Sequence, residues 1–188
     1  MKTLKRILLA LVLLVGGWIG LAYLLPGTYV VSRSTLIEAP RESVWPLVAN
    51  LDAWPEWGVW FERDPDMDLA YSMKKRGEGA TLSWQSETEG NGRVEVLTYD
   101  AYKGYSYELT FEAWDMRAIG TFTLNPYRDG AATRIIWTDT GDLGYNPLLR
   151  WLGLFLDGMI GPDFEAGLAN LKERAEQRAA ANDDSGTR

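Results

Sequence analysis

The chain has 188 residues, with 19 Lys and Arg against 26 Asp and Glu, no His, no Cys and nine Trp. Without imidazole or thiol it cannot assemble a Ser-His or Cys-His nucleophile pair or the usual zinc site, so carboxylates, Tyr and Lys are left for proton chemistry. A net charge of -7 with no basic stripe excludes the phosphate-neutralising face that nucleic-acid binding requires.

Lys2, Lys5 and Arg6 precede an uncharged apolar run from Ile7 to Leu25. At about 1.5 Å per residue that run makes roughly 28 Å of helix, close to the thickness of a bilayer core. Trp18 and Tyr23 fall in its second half, where aromatics suit the membrane interface, and Pro26-Gly27 ends it. The three basic residues place the N-terminus on the cytoplasmic side and the remainder outside. A cleaved signal peptide, with Gly20 and Ala22 before the cut, and an apolar helix of the soluble fold are the competing readings. The span length favours an uncleaved anchor over residues 1–27. Residues 7–188 then carry a charge of -10, so the anchor and not the domain surface holds the protein to anionic lipid.

From Thr28 the apolar period becomes two, and the β-branched run through Ile37 predicts a strand. Pro40 opens a helix whose apolar face is Val44, Trp45, Leu47 and Val48, ending at Asn50, and Leu51 to Trp57 forms a short second helix or turn. Six strands follow: Asp68–Met73, Ala80–Ser86, Arg93–Asp100, Gly104–Glu112, Ala118–Leu124 and Ala132–Thr138. Gly-containing turns between them predict a meander of antiparallel hairpins. The last element starts after Asn146-Pro147. It is expected in two pieces, Leu148 to Ile160 and a second helix capped by Asp163 beyond the Gly161-Pro162 interruption. The polar stretch 182–188 reads as a disordered tail. The predicted fold class is α+β: a curved sheet of seven antiparallel strands, its concave face covered by a long C-terminal helix, spanning residues 28–181.

The segment Ser34-Thr35-Leu36-Ile37-Glu38-Ala39-Pro40-Arg41-Glu42-Ser43-Val44-Trp45 resembles the opening strand and helix of the START and polyketide-cyclase superfamily, the helix-grip or SRPBCC fold. Leu51-Asp52-Ala53-Trp54-Pro55-Glu56-Trp57 is similar to its following turn. Gly77-Glu78-Gly79-Ala80, Gly120-Thr121-Phe122-Thr123-Leu124 and Thr133-Arg134-Ile135-Ile136-Trp137 resemble its strand motifs. Asp163 to Lys172 is similar to the C-terminal helix of a bacterial subgroup that begins with one membrane segment. The resemblance implies a hydrophobic cavity between sheet and helix that binds lipids, sterols, polyketides or hormones in various members, with no universal catalytic residue.

The resemblance puts Trp54, Trp57 and Trp60 at the cavity mouth, although ordinary packing of the short helix on the sheet is the preferred explanation, since aromatic clusters are usually core. Strand parity assigns Trp84, Tyr107, Phe111, Phe122 and Trp137 to the concave face, and Met159, Phe164 and Leu168 face it from the long helix. From these sets Trp57, Trp60, Trp84, Tyr107, Phe111, Phe122, Trp137, Met159 and Phe164 are the expected ligand-binding residues. Gly158 and Gly161 beside Pro162 allow a bend, read as a passive kink in preference to a gate. Glu108 and Glu112 fall on the wet parity, Asp139 and Asp142 flank a strand end, and no Asp/Glu pair is placed inside the cavity by sequence. Asp64-Pro65-Asp66-Met67-Asp68 lacks the Gly and Glu of a calcium loop and reads as a solvated acidic turn. No catalytic residue, metal or cofactor is implied. The leading expectation is membrane-anchored binding of a small hydrophobic or amphipathic ligand. A cyclase- or aromatase-type enzyme and an envelope interaction module without ligand are the alternatives; the enzyme requires a polar group with shifted ionisation in the cavity.

Overall fold

The computed structural model of the protein describes residues 2–111 and 116–186. Helix α1 (Lys2–Ala22) precedes strand β1 (Thr28–Ile37), helix α2 (Arg41–Ala49), a 3₁₀ turn (Leu51–Glu56) and the short helix α3 (Val59–Arg63). Strands β2 (Asp68–Tyr71), β3 (Thr81–Gln85), β4 (Gly92–Asp100), β5 (Gly104–Phe111), β6 (Met116–Tyr127) and β7 (Ala132–Asp142) follow, then helix α4 (Pro147–Gly186). All seven strands form one antiparallel sheet in the order β1-β7-β6-β5-β4-β3-β2, so β2 to β7 are a meander and β1 closes onto β7. Two-residue periodicity carries the inward face of β1, where Tyr29, Val31 and Ile37 are buried and Val30 is exposed. A bulge between Val96 and Thr98 adds curvature to β4.

The C-terminal end of α2 explains much of the aromatic composition. The last carbonyls of a helix have no partner within it. Here Trp57 Nε1 donates to the Leu47 carbonyl at 2.9 Å, Trp54 Nε1 to that of Val48 at 2.9 Å, and the Tyr105 hydroxyl also to that of Val48 at 2.8 Å. The two indoles come from the 3₁₀ turn and its end, so the Trp-rich turn folds back and ties α2 to the sheet.

Several boundaries differ from the sequence reading. Strands β6 and β7 run past the expected ends because their ladder continues to Tyr127 opposite Ala132, and that of β1 with β7 to Thr28 opposite Asp142. Strand β2 stops at Tyr71, two residues early, and α3 is additional. Pro40 sits just before the first helical residue of α2. Glu112, expected on the wet face of its strand, lies outside the described residues.

The C-terminal helix is continuous through Gly161-Pro162, not two pieces, and Asp163 does not begin a second helix. Pro162 costs the helix one backbone hydrogen bond, and contacts on both sides of the site hold it together. Arg33 of β1 donates to Asp157 at 2.8 Å and to Glu165 at 2.6 Å, residues one turn to either side of Gly161. Gly161 makes room for the guanidinium: a Cβ there would lie 2.0 Å from Arg33 Nη2. The helix also continues through Asn182 to Gly186, where a disordered tail is expected from composition; Thr187 and Arg188 lie outside the described residues.

At its other end α4 meets α1. Trp18 stacks on Trp151 with ring centroids 5.7 Å apart, and Arg150 donates to the carbonyls of Tyr23 at 3.4 Å and Leu25 at 3.3 Å.

Candidate functional site

A partly open cavity of about 300 Å³ lies between the concave face of the sheet, α3 and the middle of α4. Its floor is built by a repeated device. Tyr29 of β1 lies over Gly141 of β7, Tyr107 of β5 over Gly120 of β6, and Trp84 of β3 over Gly92 of β4, each ring covering its cross-strand partner. A Cβ at these glycines would fall 2.2, 2.0 and 2.3 Å from the ring atoms. Glycine therefore lets three aromatic rings lie flat on the sheet, and the space above them remains open. The walls are apolar too: Trp54, Trp60 and Phe61 on one side, Met159, Ile160 and Phe164 of α4 on the other. Phe164 stacks face to face on Trp137 at 3.9 Å between centroids, and Trp60 meets Trp137 edge-on at 5.7 Å.

The polar groups divide between the buried end and the mouth. At the mouth Asp163 accepts from Trp60 Nε1 at 3.1 Å and pairs with Arg63, which also reaches Glu89 at 3.4 Å, so this ion network fastens α3 to α4. At the buried end Asp139 of β7 is only 3% exposed. Its Oδ1 accepts the Tyr29 hydroxyl proton at 2.8 Å, while its Oδ2 has no hydrogen-bond partner. Burial pushes the Asp139 carboxyl up to about 6, and the Tyr29 hydrogen bond offsets only part of that. Burial raises the Tyr29 and Tyr107 hydroxyls well above the usual phenol range, with Asp139 adding to both. Tyr107 oxygen accepts from Trp137 Nε1 at 2.8 Å. Such a site can hold an apolar molecule by surface burial, with Asp139 as the polar group at its buried end.

The segment 28–176 matches the protein-family model for polyketide cyclase / dehydrase and lipid transport. The chain belongs to this family. No match was found among the curated proteins. Solved structures similar to this chain include protein MLL2253 from Mesorhizobium loti, with 23% identity, a TM-score of 0.54, and 80% of this chain and 97% of that one covered. A protein from Thermobifida fusca has 22% identity and a TM-score of 0.57 over 79% of this chain and 94% of its own. The hypothetical protein jhp0584 from Helicobacter pylori reaches a TM-score of 0.60 at 9% identity, over 78% and 87%. At these identities the likeness is one of fold.

In this family member the cavity brings together seven of the nine expected residues: Trp60, Trp84, Tyr107, Phe111, Trp137, Met159 and Phe164. Met159 is at the rim, 60% exposed. Trp57 and Phe122 sit behind the wall, 1% and 0% exposed, packed edge to face on one another at 6.0 Å. Trp57 is occupied with the α2 carbonyl, and Leu168 is likewise core, whereas Trp54 reaches the cavity with its ring. The sequence reading missed Tyr29, Phe61 and, above all, Asp139. A signal for Asp139 was present: it follows Trp137 by two residues on one strand, and so shares the face already assigned to the cavity.

Proposed function

We propose that the protein binds a small hydrophobic or amphipathic molecule, lipid-like or polyketide-like, noncovalently in this cavity, and that α1 anchors it in a membrane with the domain on the extracytoplasmic side. The observation that carries the reading is the aromatic cavity itself, whose floor rings lie over three glycines where a Cβ would collide with them. The family's description, polyketide cyclase / dehydrase and lipid transport, is in accord with it. The anchor is supported by the mean hydropathy of 2.0 over α1, whose side chains are exposed along nearly its whole length, and by the basic residues at its start. Leu148, Leu152, Phe155 and Met159 add exposed apolar side chains at helical spacing on α4, beside the α1 junction. They favour an orientation in which this stretch meets the bilayer and the cavity mouth, where Met159 stands, opens next to it.

The test is retention of a ligand by the full chain. Purified from membranes into nanodiscs, wild-type protein should carry a small molecule detectable by mass spectrometry after extraction. Ala118→Phe, which fills the cavity from β6, should lose that molecule while keeping its circular dichroism spectrum. Equal recovery from both, or none from either, refutes the reading.

One observation favours a second reading, an enzyme of cyclase or aromatase type: a buried carboxyl with raised ionisation lies in the cavity, as such an enzyme requires. An interaction module without ligand calls for a filled core, and the open cavity speaks against it.

A further inference from the structure

Buried polar atoms in folded proteins find partners, and each exception asks for a cause. Asp139 Oδ2 is such an exception, and its surroundings narrow the cause. Among the described residues no Lys or Arg pairs with this carboxyl, and its one hydrogen bond comes from Tyr29. Its cross-strand neighbours are Val31 and Gly120, and Trp137 and Gly141 share its face along β7; the Tyr107 ring covers Gly120, but its hydroxyl, which accepts from Trp137 Nε1, makes no hydrogen bond to Oδ2. Above it is the cavity, lined mainly by rings and aliphatic groups, with Glu89, Arg117 and Asp163 the other charged residues of its lining. A water bound there would find few partners, since buried waters are held by two to four hydrogen bonds.

From this geometry we infer that Asp139 is the recognition point for a hydrogen-bond donor, a hydroxyl or ammonium group, at one end of an otherwise apolar ligand. The ligand lies with its donor on Oδ2 at the buried end and its apolar body along Tyr107, Trp84 and Trp137 toward the mouth. Tyr29 holds the carboxyl in place by occupying Oδ1. Molecules that end in a carboxylate or phosphate are disfavoured, because they would place a second negative group against Asp139 in an apolar pocket. This inference rests on the cavity-binding reading and names the ligand class within it.

Four probes that share a naphthyl body and a two-carbon side chain separate the two levels: naphthylethylamine, naphthylethanol, ethylnaphthalene and naphthylacetate, each titrated calorimetrically at pH 8 into the full chain in zwitterionic nanodiscs, with empty nanodiscs as reference. The amine and the alcohol should bind at least about tenfold more tightly than ethylnaphthalene, as a hydrogen bond to a charged acceptor provides, and naphthylacetate should bind weakest. Asp139→Asn keeps the shape and turns a donor toward the cavity, so it should remove the advantage of amine and alcohol and strengthen naphthylacetate. Equal affinities for all four in wild type, as expected if water alone satisfies Oδ2, overturn the inference and leave cavity binding intact. Absence of binding by every probe overturns both. The wild-type ranking decides by itself should the variant fail to fold.

Discussion

Asp139 makes the stability of this protein depend on pH in an unusual direction. Most buried carboxylates that matter to stability are paired, with ionisation favoured in the fold; here burial raises the group to about 6 from an ordinary 3.8. The folded chain therefore holds the proton more tightly than the unfolded chain, and its stabilising contribution is complete below pH about 4 and lost as pH rises through about 6. The shift corresponds to about 3 kcal/mol at neutral pH, since one pKa unit is about 1.4 kcal/mol. Asp139→Asn cannot ionise, so its stability relative to wild type should climb from near zero at pH 4 to about 3 kcal/mol in its favour by pH 7.5. Urea unfolding of the full chain in detergent micelles, followed across that range, measures the difference; a flat difference would refute the account. The residue was legible in part. Parity on β7 carries Asp139 onto the face of Trp137, but its isolation does not follow from parity, because Tyr29 reaches it from the far end of the chain.

Among the secondary-structure elements, the sequence pattern specified type and order well: the alternating runs became strands, and the turn glycines fell between them. What it could not supply was the company each element keeps. Gly161-Pro162 looks like a break until Arg33, arriving from β1, is seen to grip Asp157 and Glu165 around it. The Trp-rich turn looks like a ligand clamp until the open carbonyls of α2 are considered. Trp57 is then a helix cap and Trp60 a cavity wall, although they lie three residues apart, because the chain turns into α3 between them. The two roles separate on substitution. Trp57→Phe keeps most of the ring packing and leaves the buried Leu47 carbonyl without its donor, which should lower the unfolding free energy by about 1–3 kcal/mol. Trp60→Phe loses only a partly buried bond to Asp163 at the mouth and should cost less than about 1 kcal/mol. Equal losses in the two variants, measured by urea unfolding, would show that the capping bond contributes little.

For the molecule as a whole, the question is how a cavity with its mouth between α3 and α4 is served by a chain that begins with an apolar helix. The acidic domain gains nothing from an anionic surface, so its approach to a bilayer has to come from α1 and from apolar contacts near it. The junction limits the geometry. Trp18 stacks on Trp151, and Arg150 is held between the end of α1 and the Gly144 carbonyl, so the first turns of α4 are fixed close to where α1 would leave the membrane. From there the exposed side chains of Leu148, Leu152, Phe155 and Met159 run along one side of α4 toward the mouth. If that side rests in the interface, a ligand passes between bilayer and cavity without crossing water, and the apolar burial offsets the exposure of four large side chains. The chain contains no cysteine, so single cysteines report without background. An environment-sensitive dye on Phe155→Cys in the full chain, reconstituted in vesicles, should shift to the blue and be quenched by spin-labelled lipid. The same dye on Thr98→Cys, on the outer face of β4, should show neither effect. Equal quenching at both positions, or none at Phe155→Cys, would detach the cavity mouth from the membrane and leave α1 as a tether only.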